Sequence, residues 1–127
     1  ENGGIWPVHC VKETHGAKLS KQFEDLLTHE GHLPNEKNRF LKGKDDEVEE
    51  YSAFFAENSE QEVLNEVLDD EVMIAGIASE YCVLETIKEL RKKGIKVTAL
   101  KDGLGFVDHK THDEALKEYD ALGVEFI

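Results

Sequence analysis

Met73-Ile74-Ala75-Gly76-Ile77-Ala78-Ser79-Glu80-Tyr81-Cys82-Val83 carries the chain from a strand into a helix and sets a thiol at the turn. Val72 to Ile77 is a short, nearly continuous apolar run, which predicts a strand buried on both faces of a parallel sheet. Ser79 offers a cap for a helix running to Gly94, with Glu80 in its first turn and Arg91, Lys92 and Lys93 in its last, each charge matched to the helix dipole. Cys82 then falls at about the third helical position, where free backbone N–H groups and the positive dipole end favour thiolate over thiol. Two roles fit it. One is a small buried hydrophobe; the other is a nucleophile at the carboxyl end of a parallel strand, where open α/β sheets hold their ligands.

Outward from this stretch, strand and helix patterns alternate. Lys18 to His29 carries Leu19, Phe23, Leu26 and Leu27 at helical intervals and should form an amphipathic helix ended by Gly31. Arg39-Phe40-Leu41 is a short strand candidate, and Tyr51-Ser52-Ala53-Phe54-Phe55 an apolar patch that should pack inward. Ser59 to Leu68 predicts a second helix capped by Ser59. Val83, Ile87 and Leu90 form the buried stripe of the helix after Cys82. Ile95 to Leu100 predicts a third strand ending at the Asp102-Gly103 turn, with Gly103 and Gly105 as turn residues. His112 to Leu122, with Ala115, Leu116 and Tyr119 inward, is a last helix, and Val124 to Ile127 a terminal strand. The alternation means an α/β fold: a three-layer parallel sheet with helices on both faces.

The 127 residues make one domain, and 39 % apolar with 34 % charged residues is ordinary for a globular protein. A net charge of −13 argues against nucleic acid and anionic membranes, which call for clustered Lys and Arg. A small molecule or a protein partner fits better. The acidic run Asp45, Asp46, Glu47, Glu49 and Glu50 reads as a solvated face or as a screen for a cationic partner. Cys10 and Cys82 make no disulfide framework and read as thiols of a reducing compartment, the cytoplasm. His9 beside Cys10 is a hydrogen-bonded loop residue or the start of a metal site, without the spacing that decides between them.

Four pieces occur in order: Trp6-Pro7-Val8-His9-Cys10-Val11, His15-Gly16-Ala17, Lys42-Gly43 ahead of Tyr51-Ser52-Ala53-Phe54, and Gly76-Ile77-Ala78-Ser79-Glu80-Tyr81-Cys82-Val83. Together they resemble the nicotinamidase branch of the isochorismatase-like cysteine hydrolases over nearly the whole chain. The resemblance implies an amidohydrolase of NAD salvage that converts nicotinamide and water to nicotinate and ammonia through a Cys82 thioester. Lys42 would stand next to the thiol, and the backbone N–H groups of Ala78 and Cys82 would form the oxyanion hole, with a cis peptide between Ile77 and Ala78. His9 would bind a divalent metal, commonly zinc with iron or manganese as alternatives, that holds the substrate. Trp6 and Tyr81 look like pocket walls for the flat ring, or else core aromatics.

The departures concern the start of the family pattern. Its first β-α-β portion carries a general-base aspartate and an Asp-x-His pair of metal ligands, and nothing in Glu1 to Ile127 matches either. Glu1-Asn2-Gly3-Gly4 reads as a loop entered midway. The expectation is therefore the C-terminal portion of a longer chain, inactive by itself, whose N-terminal segment is a required partner; a homo-oligomer is also compatible. Two competing functions remain: another hydrolase of this fold acting on a different small amide or an enol ether, and a non-catalytic binding module.

Overall fold

The computed structural model describes residues 6–22, 33–45 and 47–127. Its centre is a three-stranded parallel sheet in the order β1-β2-β3, with β1 Glu71–Gly76, β2 Lys96–Leu104 and β3 Glu125–Phe126. Among the described residues three α-helices accompany it, α1 Leu64–Val67, α2 Cys82–Lys92 and α3 His109–Ala121, besides a 3-10 turn at His15–Ala17. α2 connects β1 to β2 and α3 connects β2 to β3, and the two helices touch each other. The parallel α/β architecture expected from the alternation is thus present.

The core lies between those helices and β2. Ile87, Leu90, Val83 and Leu84 of α2 meet Val97 and Ala99 of β2, with Tyr119, Ala115 and Val124 closing the far side. Burying one such aliphatic side chain contributes roughly 1.5–3 kcal/mol. The α2 end follows its sequence signal: Gly94 takes φ +86°, and N–H groups of Gly94 and Ile95 bond the carbonyls of Arg91 and Leu90. The Arg91 guanidinium then binds the carbonyls of Leu122 and Ile95, tying the ends of both long helices together. At the other end of α3, Asp108 caps, its carboxylate accepting from the Thr111 N–H at 3.0 Å.

Several expectations change. β1 is not buried on both faces, because Met73 and Ala75 face outward and Met73 is 61 % exposed. Ser79 does not cap α2: Tyr81 occupies that position without a side-chain bond, and Cys82 is the first helical residue. Ser59 to Leu68 is mostly loop. Asn58 gathers it, its side-chain oxygen accepting from the N–H groups of Glu60 and Glu62, while Ser59 turns to the Glu36 carbonyl and Gln61 takes a left-handed φ of 62°. Arg39-Phe40-Leu41 yields only a single antiparallel bridge, Leu41 to Glu57. Gly103 and Gly105 are not plain turn residues. Gly103 lies in β2, and a Cβ there would meet the Ala75 methyl at 3.1 Å; a Cβ on Gly105 would sit 2.3 Å from Ile77. The helix expected over Lys18 to His29 lies mostly outside the described residues, and its first residues, 18–20, are not helical.

Candidate active site

The turn between β1 and α2 is held by backbone hydrogen bonds, within itself and to the segment after β2. Ser79 donates its N–H to the Gly105 carbonyl at 2.9 Å, and the Ala78 carbonyl accepts from the N–H groups of Tyr81 and Val83. The Ile77–Ala78 peptide is cis, as the resemblance implied. No acceptor among the described residues engages the N–H groups of Ala78, in the turn, and Cys82, at the start of α2. A helix N-terminus with free N–H groups is suited to anionic charge.

Cys82 is a free, half-buried thiol on this turn. Its neighbour across 40 residues of sequence is Lys42, whose Nζ lies 3.5 Å from Sγ. Lys42 is aimed by Glu50: Nζ donates to the Glu50 carbonyl at 2.8 Å, and the Glu50 carboxylate accepts from the Gly43 N–H at 2.6 Å. Gly43 has φ +67°, a conformation that glycine adopts without steric cost. Thr86 braces the opposite side, accepting from the Ala53 N–H and donating to the Cys82 carbonyl. The arrangement puts an ammonium beside a thiol at a dipole terminus, which is the setting that activates a sulfur nucleophile.

Aromatic rings flank this pair. Tyr81 meets Trp6 edge-on at 5.0 Å between centroids and Tyr51 at 5.9 Å in a tilted contact. The sequence shows Tyr51 only as part of an apolar patch; its place beside Tyr81 joins segments 30 residues apart in sequence, and no local spacing signals that. The same holds for Glu50 as the guide of Lys42.

His9 is exposed, and Nδ1 lies 2.7 Å from the Pro7 carbonyl oxygen. With Nδ1–H donated there, Nε2 is left for a metal, the usual division of labour in a ligating histidine. Among the described residues, however, no group of three His, Cys, Asp or Glu side chains gathers around it. One imidazole does not hold zinc, which takes three or four protein ligands.

An Isochorismatase domain model matches residues 2–127. The chain belongs to the isochorismatase family. Within that family it is similar to the nicotinamidase of Saccharomyces cerevisiae, 36 % identical over 107 residues that cover 80 % of this chain and 47 % of that protein. The crystal structure of the pyrazinamidase of Pyrococcus horikoshii in complex with zinc superposes with a TM-score of 0.77 at 28 % identity, covering 98 % of this chain and 64 % of that one. The PnC1 protein of L. infantum in complex with nicotinate gives a TM-score of 0.73 at 26 % identity, covering 98 % and 61 %. This isochorismatase-family chain spans about half the length of the curated relatives it matches.

Proposed function

We propose that this chain carries the nucleophile half of a nicotinamidase, which hydrolyses nicotinamide to nicotinate and ammonia in NAD salvage in the cytoplasm. The observation that carries the proposal is Lys42 Nζ at 3.5 Å from Cys82 Sγ on the β1–α2 turn. Similarity to the yeast nicotinamidase and to the nicotinate-bound L. infantum structure supports the substrate class.

In this mechanism the Cys82 thiolate attacks the carboxamide carbon, and Lys42 stabilises the negative sulfur. The N–H groups of Ala78 and Cys82 receive the developing oxyanion. Collapse of the tetrahedral intermediate breaks the C–N bond, a proton passes to nitrogen, and ammonia leaves a thioester on Sγ. Water then adds to the thioester carbon, and the acid is released with Sγ restored. Trp6 and Tyr81, with Tyr51 behind, form walls against which an aromatic ring lies flat. The group that carries the proton is assigned to an aspartate in a segment N-terminal to Glu1. The same segment would supply the further ligands with which His9 binds a divalent metal; the zinc complex of the Pyrococcus horikoshii relative favours zinc over iron or manganese. His9 would be one ligand of such a metal, whose chemistry there would be to hold the substrate ring.

The test is ammonia release from nicotinamide, followed by trapping of a nicotinoyl thioester on Cys82 by acid quench and mass spectrometry. The complete protein is expected to release ammonia and to lose that activity in Cys82→Ala, whereas residues 1–127 alone are expected to be inactive. Turnover of another small amide but not of nicotinamide would move the protein to a different hydrolase of the same fold. Full activity in Cys82→Ala would sink the nucleophile assignment.

A further inference from the structure

Behind the β1–α2 turn lies a buried polar group that the amide chemistry does not use. Ser79 is fully buried, and every polar atom it has is engaged. Its N–H goes to the Gly105 carbonyl, its carbonyl accepts from the Tyr119 hydroxyl at 2.5 Å, and its Oγ touches two partners. Those partners are His112 Nδ1 at 2.6 Å and Glu80 Oε2 at 3.1 Å. The other Glu80 oxygen accepts from the N–H groups of Val107 at 2.7 Å and Asp108 at 3.0 Å.

A hydroxyl has one hydrogen to donate, and an ionised carboxylate can only accept. Burial pushes the Glu80 carboxyl up, but hydrogen bonds from the backbone of Asp108, Glu80 and Val107 and from the Ser79 hydroxyl outweigh it and hold it below the usual value. Glu80 is therefore the acceptor end. The Ser79 hydrogen serves Glu80, so the 2.6 Å contact to His112 needs its hydrogen from the imidazole. If Nδ1 were bare, one hydroxyl hydrogen would have to serve two acceptors, and one buried contact would lack a donor. Phe106, stacked on the imidazole at 4.4 Å between centroids and 20° between planes, fixes the ring in the orientation that this bond needs.

We propose that His112 is held with its hydrogen on Nδ1 and acts as a positioning residue, its Nδ1–H donating to Ser79 Oγ and the Ser79 hydroxyl to Glu80 Oε2, so that α3 fixes the Ala78–Cys82 turn. This rests on the proposed role of that turn in receiving an oxyanion. The relay crosses three elements: α3, the turn, and the β2–α3 loop through Val107 and Asp108. Any tilt of α3 is passed through it to the N–H groups of Ala78 and Cys82. His112 touches no reacting atom; it acts through Ser79.

Long-range proton–nitrogen correlation NMR on the 127-residue chain, at mildly alkaline pH where a free imidazole is neutral, reads which ring nitrogen carries the hydrogen. The expected result is Nδ1–H for His112, reverting to the commoner Nε2–H form in Ser79→Ala. An Nε2–H ring in the unaltered chain overturns the proposal, and this measurement needs no variant to fold. The second readout is the iodoacetamide rate at Cys82, with the exposed Cys10 as internal reference. His112→Leu should slow Cys82 by about tenfold, the effect of one lost buried hydrogen bond, while His112→Asn, whose amide can donate to Ser79, should stay within about twofold of the unaltered chain. Equal rates in the two variants would also overturn it. Neither readout involves nicotinamide, so a failure of the amidase proposal and a failure of the relay are told apart.

Discussion

Lys42 has two acceptors, the Glu50 carbonyl and Cys82 Sγ, and its position depends on the first as much as its chemistry depends on the second. Removing the ammonium while keeping the stem, as in Lys42→Met, should slow alkylation of Cys82 near neutral pH by on the order of tenfold and leave Cys10 unchanged. Thiol mapping by mass spectrometry after timed iodoacetamide exposure checks this. Glu80 gives a pH-dependent expectation. Its carboxyl is held below its free value of 4.5 in the folded chain, so its contribution is complete above that pH and is lost as pH falls through the lower folded value. Glu80→Gln should therefore cost about 1 kcal/mol at neutral pH, below the range of roughly 1.5–3 kcal/mol for charged hydrogen bonds because the group is partly exposed, and should flatten the decline in stability below pH 4.5. Urea titrations at neutral and acid pH measure both. Cys82 and Lys42 could be picked out in the sequence because each sits in a motif with its own neighbours. His112, Tyr119 and Tyr51 could not, since their contacts with the turn cross 30 to 40 residues and follow from the fold alone.

At the scale of elements, α2 has one face committed to the core while β1 has one face without cover among the described residues. Ile87 is fully buried, and Ile87→Ala should cost about 3 kcal/mol by urea denaturation. Met73, 61 % exposed on β1, should behave differently: Met73→Ala in the 127-residue chain should change stability by less than about 0.5 kcal/mol. If the proposed N-terminal segment packs over that face, the same substitution in the complete protein should cost about 2 kcal/mol or more. A small cost in both forms would argue against such a cover. The helices α2 and α3 and the strand β2 were legible because their apolar residues recur at the period of the element they form. Ser59 to Leu68 carries a helical pattern but is helical only over α1, because Asn58 offers the N–H groups of Glu60 and Glu62 a side-chain acceptor that competes with helical bonding. The nearly continuous apolar run of β1 predicts burial on both faces, but such a run records what the strand tolerates rather than what covers it here.

Over the whole molecule, a net charge of −13 is distributed across a surface whose ion pairs are mostly exposed, such as Lys37 with Glu60 and Lys44 with Glu57. Such pairs contribute little individually, whereas the like-charge repulsion acts on the compact state as a whole. Raising salt from about 0.01 M to about 1 M, which shortens the screening length from about 30 Å to about 3 Å, should therefore stabilise the protein. A lower urea midpoint at high salt would contradict this. The placement of Trp6 extends to practice at the same scale. It is the sole tryptophan of the chain, and its ring packs edge-on against Tyr81, the residue immediately before the thiol. Intrinsic fluorescence therefore arises almost entirely from one indole at the mouth of the candidate site, so thiol capture, ring binding or loosening of the His9 loop can each be followed by emission without attaching a dye.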